Sequence, residues 1–328
     1  MNGNSEKVII IDPVLGLSGD MFLSCLFELG ASPDKVMEML ETLPGLEPFS
    51  IVTDTVESRG IRTVRTRVIS GEDHHHRNFN HISEMIRKSG LESSIIDLSL
   101  KIFRVIAEAE GKVHGVDPGQ VHFHEVGAVD SIVDIAGSVA GLFLLGYPKV
   151  YHRPLRLGSG TISIAHGTIP VPAPATIEIL RGMELEMSDA TEHRAEQVSE
   201  PTGAALISVL SEPLPKGRLF KPERTVYGSG TRENNPGFLR MMAGKAKGFK
   251  NTVRVVRTTI DDMNPEIFGY LTEKLFEAGI HEVFLNNVIM KKGRPGVELT
   301  VICDSNVEDE ILEVLFTETT TLGIRVTN

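Results

Sequence analysis

Cysteine is scarce in this chain of 328 residues: Cys25 and Cys303 stand far apart, each within an apolar run. Two such residues exclude a disulfide framework or a thiolate metal cage and point to a reducing compartment. No uncharged stretch approaches the ~18 residues that a membrane span needs. The N-terminal apolar run is cut by Asp12 and Pro13, with no cleavage-like segment behind it, so no signal peptide and a cytoplasmic location are expected. Positive charge is also short: 33 Lys and Arg face 44 Asp and Glu, a formal net charge of -11. An acidic surface repels phosphate backbones, which disfavours nucleic-acid binding but leaves room for one phosphorylated ligand in a local basic pocket. Neither GxxxxGK[ST] nor GxGxxG occurs, so neither a P-loop nor a Rossmann site is supported. Internal repeats and low-complexity segments are missing too.

What remains is ordinary globular sequence, long enough for more than one domain. Val8–Asp12 reads as a short strand, followed by a turn through Pro13–Gly19 and a helix over Asp20–Leu29. Strand, Gly-containing turn and helix is an arrangement that holds a ligand at a helix N-terminus. Phe49–Ile69, broken at Ser58–Gly60, reads as a hairpin. Helices are predicted near His81–Ser89, over Ile95–His114, and over Ala128–Leu145. The last is apolar nearly all round and dense in Ala, Gly and Ser, as a buried element in close contact with its neighbours must be. Strands punctuated by Gly follow from Val150 to Thr168, then a helix that ends at Gly182 and a second one after PTGAAL. Gly244–Thr252 reads as a linker. Beyond it the order strand, helix, strand, strand, helix, strand is that of a ferredoxin-like domain. The expected architecture is of mixed α+β or α/β class: a larger N-terminal α/β domain over residues 1–246 and a ferredoxin-like βαββαβ domain over 252–328.

Several polar groups interrupt this pattern. His74, His75 and His76 lie in a polar loop, and imidazole suits nickel, zinc and copper; a solvated loop is the plain alternative. Glu110 and His114 share a helix face at i and i+4, as a surface pair or as ligands. VHFHEVGAVDSIVDI sets His122, His124, Glu125, Asp130 and Asp134 among core residues. Asp130 falls in a first helical turn, where a carboxylate offsets the helix dipole. Asp134 lies a turn deeper among Ile132, Val133 and Ile135, and a buried carboxylate there needs a partner, from a ligand or from a satisfied core network. His166 and the segment Glu200–Gly203 each precede a helix start, where free N–H groups bind anions or Thr202 caps. Near the C-terminus, Asp261 and Asp262 at a strand end, with Lys291, Lys292 and Arg294 around a glycine and Arg325 beyond, make a carboxylate-and-cation set suited to a metal–triphosphate.

No one of these names a reaction, but their order does. GLSGDMFLSCLFELG, HHHRNFNHI, IAEAEGKVHG, VHFHEVGAVDSIVDI, AHGTIPVPAPAT, EPTGAAL, TVYGSGTRENNPGFLR, TIDDMNPE, MKKGRPG and TETTTLGIR follow one another as in a single family. The chain resembles, over nearly its whole length, the nickel-insertion protein of the lactate racemase maturation system. The resemblance implies a lyase-type chelatase that inserts Ni²⁺ into pyridinium-3,5-bisthiocarboxylic acid mononucleotide, giving the nickel-pincer nucleotide cofactor. CTP is hydrolysed with Mn²⁺ or Mg²⁺ assisting. It places metal–CTP at Asp261, Asp262, Lys291, Lys292, Arg294, Thr320 and Arg325, with the first four catalytic. Nickel goes to His74, His75, His76, His122, His124 and Glu125, and the precursor to Ser18, Asp20, His122, His166 and Thr202. The resemblance also implies a homo-oligomer, apo racemase as a partner, and a further C-terminal portion, in some members separately encoded, because the family runs on past TTTLGIR. IDPVLGLSGDM departs from the family's usual FDCFSGISGDM at Pro13 and Leu15, which removes a thiol and a hydroxyl ahead of the turn. Two other readings compete: a non-enzymatic nickel chaperone or store built on the histidine loop, and a nucleotide-dependent enzyme acting on another phosphorylated substrate.

Overall fold

The structure, a computed structural model, describes residues 6–13, 15–71, 77–121, 123, 126–157, 160–164, 167–186, 200–215, 217–231, 237–247 and 253–327. Two compact units are present. One comprises Glu6–Leu214 and Lys221–Ala246; the other includes Pro215–Phe220 and the chain from Lys247 onward. Among the described residues no helix is long and apolar enough to cross a membrane.

The larger unit opens with β1 (Glu6–Asp12), α1 (Gly19–Leu29) and α2 (Pro33–Leu40), then the hairpin of β2 (Phe49–Ser58) and β3 (Ile61–Ser70). Helices α3 (Phe79–Arg87), α4 (Ser93–His114) and α5 (Val129–Leu144) follow. Short strands β4 (Lys149–His152), β5 (Leu155–Arg156), β6 (Thr161–Ile164) and β7 (Gly167–Pro170) lead to α6 (Pro174–Ile179) and β8 (Leu185–Glu186). The unit closes with α7 (Pro201–Leu210), β9 (Glu212–Pro213), β10 (Leu219–Ser229) and β11 (Phe238–Lys247). Seven strands form one mixed sheet in the order β2-β3-β10-β11-β1-β4-β9. β1 sits inside this sheet, antiparallel to β11 and parallel to β4. That explains its continuous run of Val8, Ile9, Ile10 and Ile11, since a strand covered on both faces has no solvent side to make polar.

The helices start and stop where local chemistry says they should. Ser32 accepts from the amide of Lys35 at the head of α2, with Pro33 at the first helical position. Asn78 accepts from the amide of His81 at the head of α3, at 2.9 Å. Gly30 ends α1 in the left-handed region, at φ 114°. The small residues of α5 do what was expected of them: a β-carbon on Gly141 would stand 3.0 Å from Leu26 Cδ1, and one on Gly137 3.3 Å from Val36 Cγ1. Glycine therefore lets α5 approach α1 and α2 closely.

Two sequence expectations change. Gly244–Lys247 belongs to β11 and not to a linker: Gly244, Lys245 and Ala246 pair with Val8, Lys7 and Glu6. Strand pairing is made by the backbone, so small and Lys side chains suffice where a strand end faces solvent. Residues 248–252 of the expected linker lie outside the described residues. β10 escaped notice because Lys221, Glu223 and Arg224 interrupt its apolar alternation, the burial pattern being exposed over most of its first half.

The smaller unit contains β12 (Val253–Ile260), α8 (Ile267–Glu277), β13 (Glu282–Ile289), β14 (Pro295–Asp304), α9 (Glu308–Glu318) and β15 (Arg325–Thr327). Its antiparallel sheet runs β13-β14-β12-β15, over a core that includes Val256, Leu271, Val301 and Leu315. The element order matches the expected one.

In the larger unit the most heavily buried charged side chain is Arg77, 1% exposed. Its Nη1 donates to the carbonyl of Gly127 at 2.8 Å and its Nη2 donates to Glu47. Removing one member of a buried ion pair leaves the other charge and the carbonyl short of a partner. Arg77→Ala is therefore expected to lower the unfolding free energy of this unit by roughly 3 kcal/mol. Urea unfolding checks this, and an unchanged midpoint contradicts it.

Candidate functional site

Three helices of the larger unit direct their N-terminal ends at one cavity of about 550 Å³. Ser18 at the head of α1, Ala128 at the head of α5 and Glu200 at the head of α7 all line it. No side chain caps any of the three, in contrast to α2 and α3. Each helix end contributes partial positive charge to the cavity wall. Thr202 does not cap α7 as expected; the cap position is Glu200, and Thr202 sits within the first turn.

Glycine brings the three ends together. A β-carbon on Gly203 would lie 2.5 Å from the carbonyl oxygen of Leu17, so only a bare residue lets α7 meet the turn before α1. A β-carbon on Gly19 would lie 2.8 Å from Cβ of Asp134, so the first residue of α1 packs directly on that side chain of α5. Asp20 completes the frame. Its Oδ1 accepts from the amide of Met21 at 2.7 Å and from the hydroxyl of Ser18. Its Oδ2 accepts from the amide of Thr231 at 2.7 Å, which fastens the β10–β11 connection to α1. Of the residues expected to contact substrate, Ser18, Asp20 and Thr202 thus converge.

The cavity holds further groups beyond those that the resemblance assigned to a ligand. Asp134 lines it and keeps some surface open to it, yet its Oδ1 is sealed from solvent and has no hydrogen-bond partner among the described residues. Burial pushes its pKa well above the ordinary carboxylate value, and the neighbouring charges of Asp20, Asp130 and Glu200 push in the same direction. Thr66 of β3, also on the wall, is 1% exposed and its Oγ1 likewise finds no partner there. The cationic member of the wall is Arg67, which Asp54 holds through a 2.5 Å hydrogen bond. Asp130 plays the part expected of it, lying in the first turn of α5 with Oδ1 accepting from the amide of Ser131 at 2.7 Å. A strand residue such as Thr66 or Arg67 gave no signal in the sequence, whereas Asp134 did: a carboxylate with no excuse on an apolar helix. The wall between these groups is apolar, through Leu17, Met21 and Val126.

His74, His75, His76, His122, His124, Glu125 and His166 lie outside the described residues. Their described neighbours are informative nonetheless. Arg77 follows the histidine run directly, and Phe123 separates His122 from His124. The amide of Phe123 donates to the carbonyl of Arg77 at 3.2 Å, so these two residues meet. Among the described residues no group of three or more His, Cys, Asp or Glu is arranged to hold a metal ion. Glu110 and His114 form a surface pair on α4 at 3.3 Å, the plainer of their two readings.

In the smaller unit, Asp261 and Asp262 follow the end of β12. Nη1 of Arg294 lies 3.5 Å from Oδ2 of Asp261, an oxygen that is buried and has no hydrogen-bond partner among the described residues. The hydroxyl of Thr320 donates to Asp262 Oδ1 at 2.5 Å. Lys291 and Lys292 are exposed in the tight turn between β13 and β14, where Lys292 adopts a left-handed φ of 63°. The structure therefore gathers six of the seven expected nucleotide-site residues at one end of the sheet. Arg325 stands apart on β15, paired with Arg257, four residues and roughly 13 Å back along β12 from Asp261.

The family described as "Nickel insertion protein" matches residues 9–328. A Thermotoga sp. (strain RQ2) protein named pyridinium-3,5-bisthiocarboxylic acid mononucleotide nickel insertion protein is 39% identical over 335 residues, covering 98% of this chain and 82% of its own. A protein of the same name from Desulfitobacterium hafniense is 39% identical over 332 residues, covering 98% and 81%. Among solved structures, "LarC2, the C-terminal domain of a cyclometallase involved in the synthesis of the NPN cofactor of lactate racemase, apo form" is 36% identical, covers 23% of this chain and 52% of that one, and has a TM-score of 0.23. With a family match across nearly all of its length and relatives at this identity, the chain belongs to the nickel insertion protein family.

Proposed function

We propose that this protein inserts Ni²⁺ into pyridinium-3,5-bisthiocarboxylic acid mononucleotide, the compound named in its relatives, and that CTP hydrolysis drives the step. The observation that carries this reading is the cavity on which α1, α5 and α7 converge. Its size lies in the ordinary range for a small-molecule site, about 300–1,000 Å³. Its chemistry matches a ligand of mixed charge. Anionic phosphate and thiocarboxylate groups suit the positive ends of three helices together with the hydroxyls of Ser18 and Thr202. An aromatic ring suits the apolar wall of Leu17, Met21 and Val126. His122 and His166 join the precursor site in this reading.

Nickel is the substrate metal. We assign its first holding to His74, His75, His76, His122, His124 and Glu125, and the hydrogen bond between Arg77 and Phe123 supports treating the two stretches as one. Imidazole and carboxylate hold nickel loosely enough to yield it to sulfur donors on the precursor, whereas a thiolate cage would compete with them.

The smaller unit, whose strand order we take as ferredoxin-like, is assigned the nucleotide. Asp261 and Asp262 would hold Mn²⁺ or Mg²⁺, and Oδ2 of Asp261, which has no hydrogen bond among the described residues, fits that role. A divalent ion there supplies charge neutralisation on the triphosphate. Lys291, Lys292 and Arg294 surround the same place and would bear on the phosphates, with Thr320 orienting Asp262. Arg325, set back on β15, would reach a more distant part of the nucleotide. Homo-oligomerisation, a cytoplasmic location and delivery of the product to apo racemase belong to the same proposal.

The direct test supplies the chain with Ni²⁺, Mn²⁺, CTP and the precursor, and follows the nucleotide by mass spectrometry. A nickel-bearing product that needs all four components supports the reading; its absence with a folded chain sinks it. Asp261→Ala combined with Asp262→Ala is expected to slow CTP hydrolysis by ~100-fold without removing nickel binding measured in the absence of nucleotide. Replacing His74, His75 and His76 together by Ala is expected to do the reverse, lowering nickel loading while CTP hydrolysis continues. Nickel loading that survives the triple replacement would move the nickel site elsewhere.

A further inference from the structure

Asp134, whose Oδ1 has no hydrogen-bond partner among the described residues, has no part in the proposed function. It stands against Gly19, where α1 begins, and lines a cavity that also exposes Asp130 and Glu200. Asp20 of α1 is already committed to three donors. Asp130 is occupied by the amide of Ser131. Arg67 of β3 is drawn toward Asp54. Asp134 Oδ1 thus has no opposing charge and no hydrogen bond among the described residues, and Thr66 Oγ1 beside the same space is equally unmatched. A carboxyl left without an opposing charge beside a ligand-sized cavity is what a bound cation would compensate.

The sign of the missing partner follows from the neighbours. With carboxylates at Asp20, Asp130 and Glu200, an anionic head at this depth would be repelled. An organic cation with delocalised charge needs no coordination geometry and tolerates apolar walls. Resting on the assignment of the precursor to this cavity, we propose that Asp134 is the counter-ion of the precursor's pyridinium ring and thereby makes the site selective for a positively charged ring. Burial and three nearby carboxylates favour the neutral acid in the empty cavity. Entry of the cation reverses the balance, so the carboxyl releases its proton to solvent as the ring binds.

Nicotinamide mononucleotide in its oxidised and reduced forms separates the effects. The two share ribose and phosphate, but the oxidised ring carries a positive charge and the reduced ring none. The full chain is titrated with each by calorimetry at pH 7, in two buffers of different ionisation enthalpy. The wild type is expected to prefer the oxidised form roughly tenfold and to release protons on binding it. Asp134→Asn should abolish both the preference and the proton release while still binding the reduced form. Equal binding of the two forms by the wild type, or a preference that survives Asp134→Asn, overturns the counter-ion role and leaves the cavity assignment standing. Binding that persists after Gly203→Val, which fills the junction beside Leu17, overturns the cavity assignment and this inference with it, as does failure of both forms to bind.

Folding of the Asn variant is itself predictable. A carboxyl whose folded pKa is raised contributes stability fully below its ordinary value of 3.8 and loses it as pH climbs through the folded value. Asn undergoes no such loss. Asp134→Asn is therefore expected to melt no lower than the wild type at pH 7 and to show a flatter dependence of stability on pH above about 4. Melting curves across that range check the sign.

Discussion

The carboxylate of Asp20 accepts the amide of Met21 beside it and the amide of Thr231, which is 211 residues further along the chain. Those bonds hold the head of α1 to the connection after β10, and most of what the larger unit offers a ligand hangs from that junction. Ser24, one turn into α1, extends it: its hydroxyl donates to the carbonyl of Asp20 at 2.7 Å and accepts the amide of Thr66 at 2.8 Å. β3 is thereby registered against the same helix end. The cavity wall is not a loop laid over a scaffold; it is the place where helix, hairpin and returning strand share one set of hydrogen bonds.

A site of this kind balances opposing charges. Three helix N-termini favour anions, while the buried carboxyl of Asp134 favours a cation. These tendencies do not cancel, because they act at different depths. Backbone dipoles act within the first turn of each helix, and Asp134 lies a turn deeper on α5. A ligand that carries both signs, in a fixed arrangement, is better matched there than one that carries either alone. The smaller unit is plainer. The β13–β14 turn carries cations, and its Arg294 stands 3.5 Å from Asp261 after β12.

Much of the architecture was legible from periodicity. Val8–Asp12 had to be a central strand because it has no polar face. Ala128–Leu145 had to be an interior helix because its small residues suit nothing else. Turn chemistry at Ser58–Gly60 gave the hairpin. β10 was not legible, since its charged first half mimics a surface segment, and β11 ran on where lysines and glycines resembled a linker. The site divides in the same way. Ser18 and Thr202 were found as helix-start residues, but that they share a cavity is a tertiary fact set by Gly203 and Leu17, and no spacing encodes it. Asp134 was visible as a buried carboxylate without a partner, and the resemblance then drew attention away from it toward the histidines. Thr66 and Arg67 were invisible, because an alternating strand shows which residues point together but not at what.

The wall of the cavity is drawn from stretches near residues 17, 67, 130, 201 and 230, which span most of the larger unit. A chain that has folded only part of that unit therefore has only part of the wall. Occupancy and integrity become one equilibrium, and a ligand that recognises only the assembled wall steadies the whole unit in proportion to how far its concentration exceeds its dissociation constant. In a cell, scarcity of such a ligand would then be felt as a shorter life for the protein.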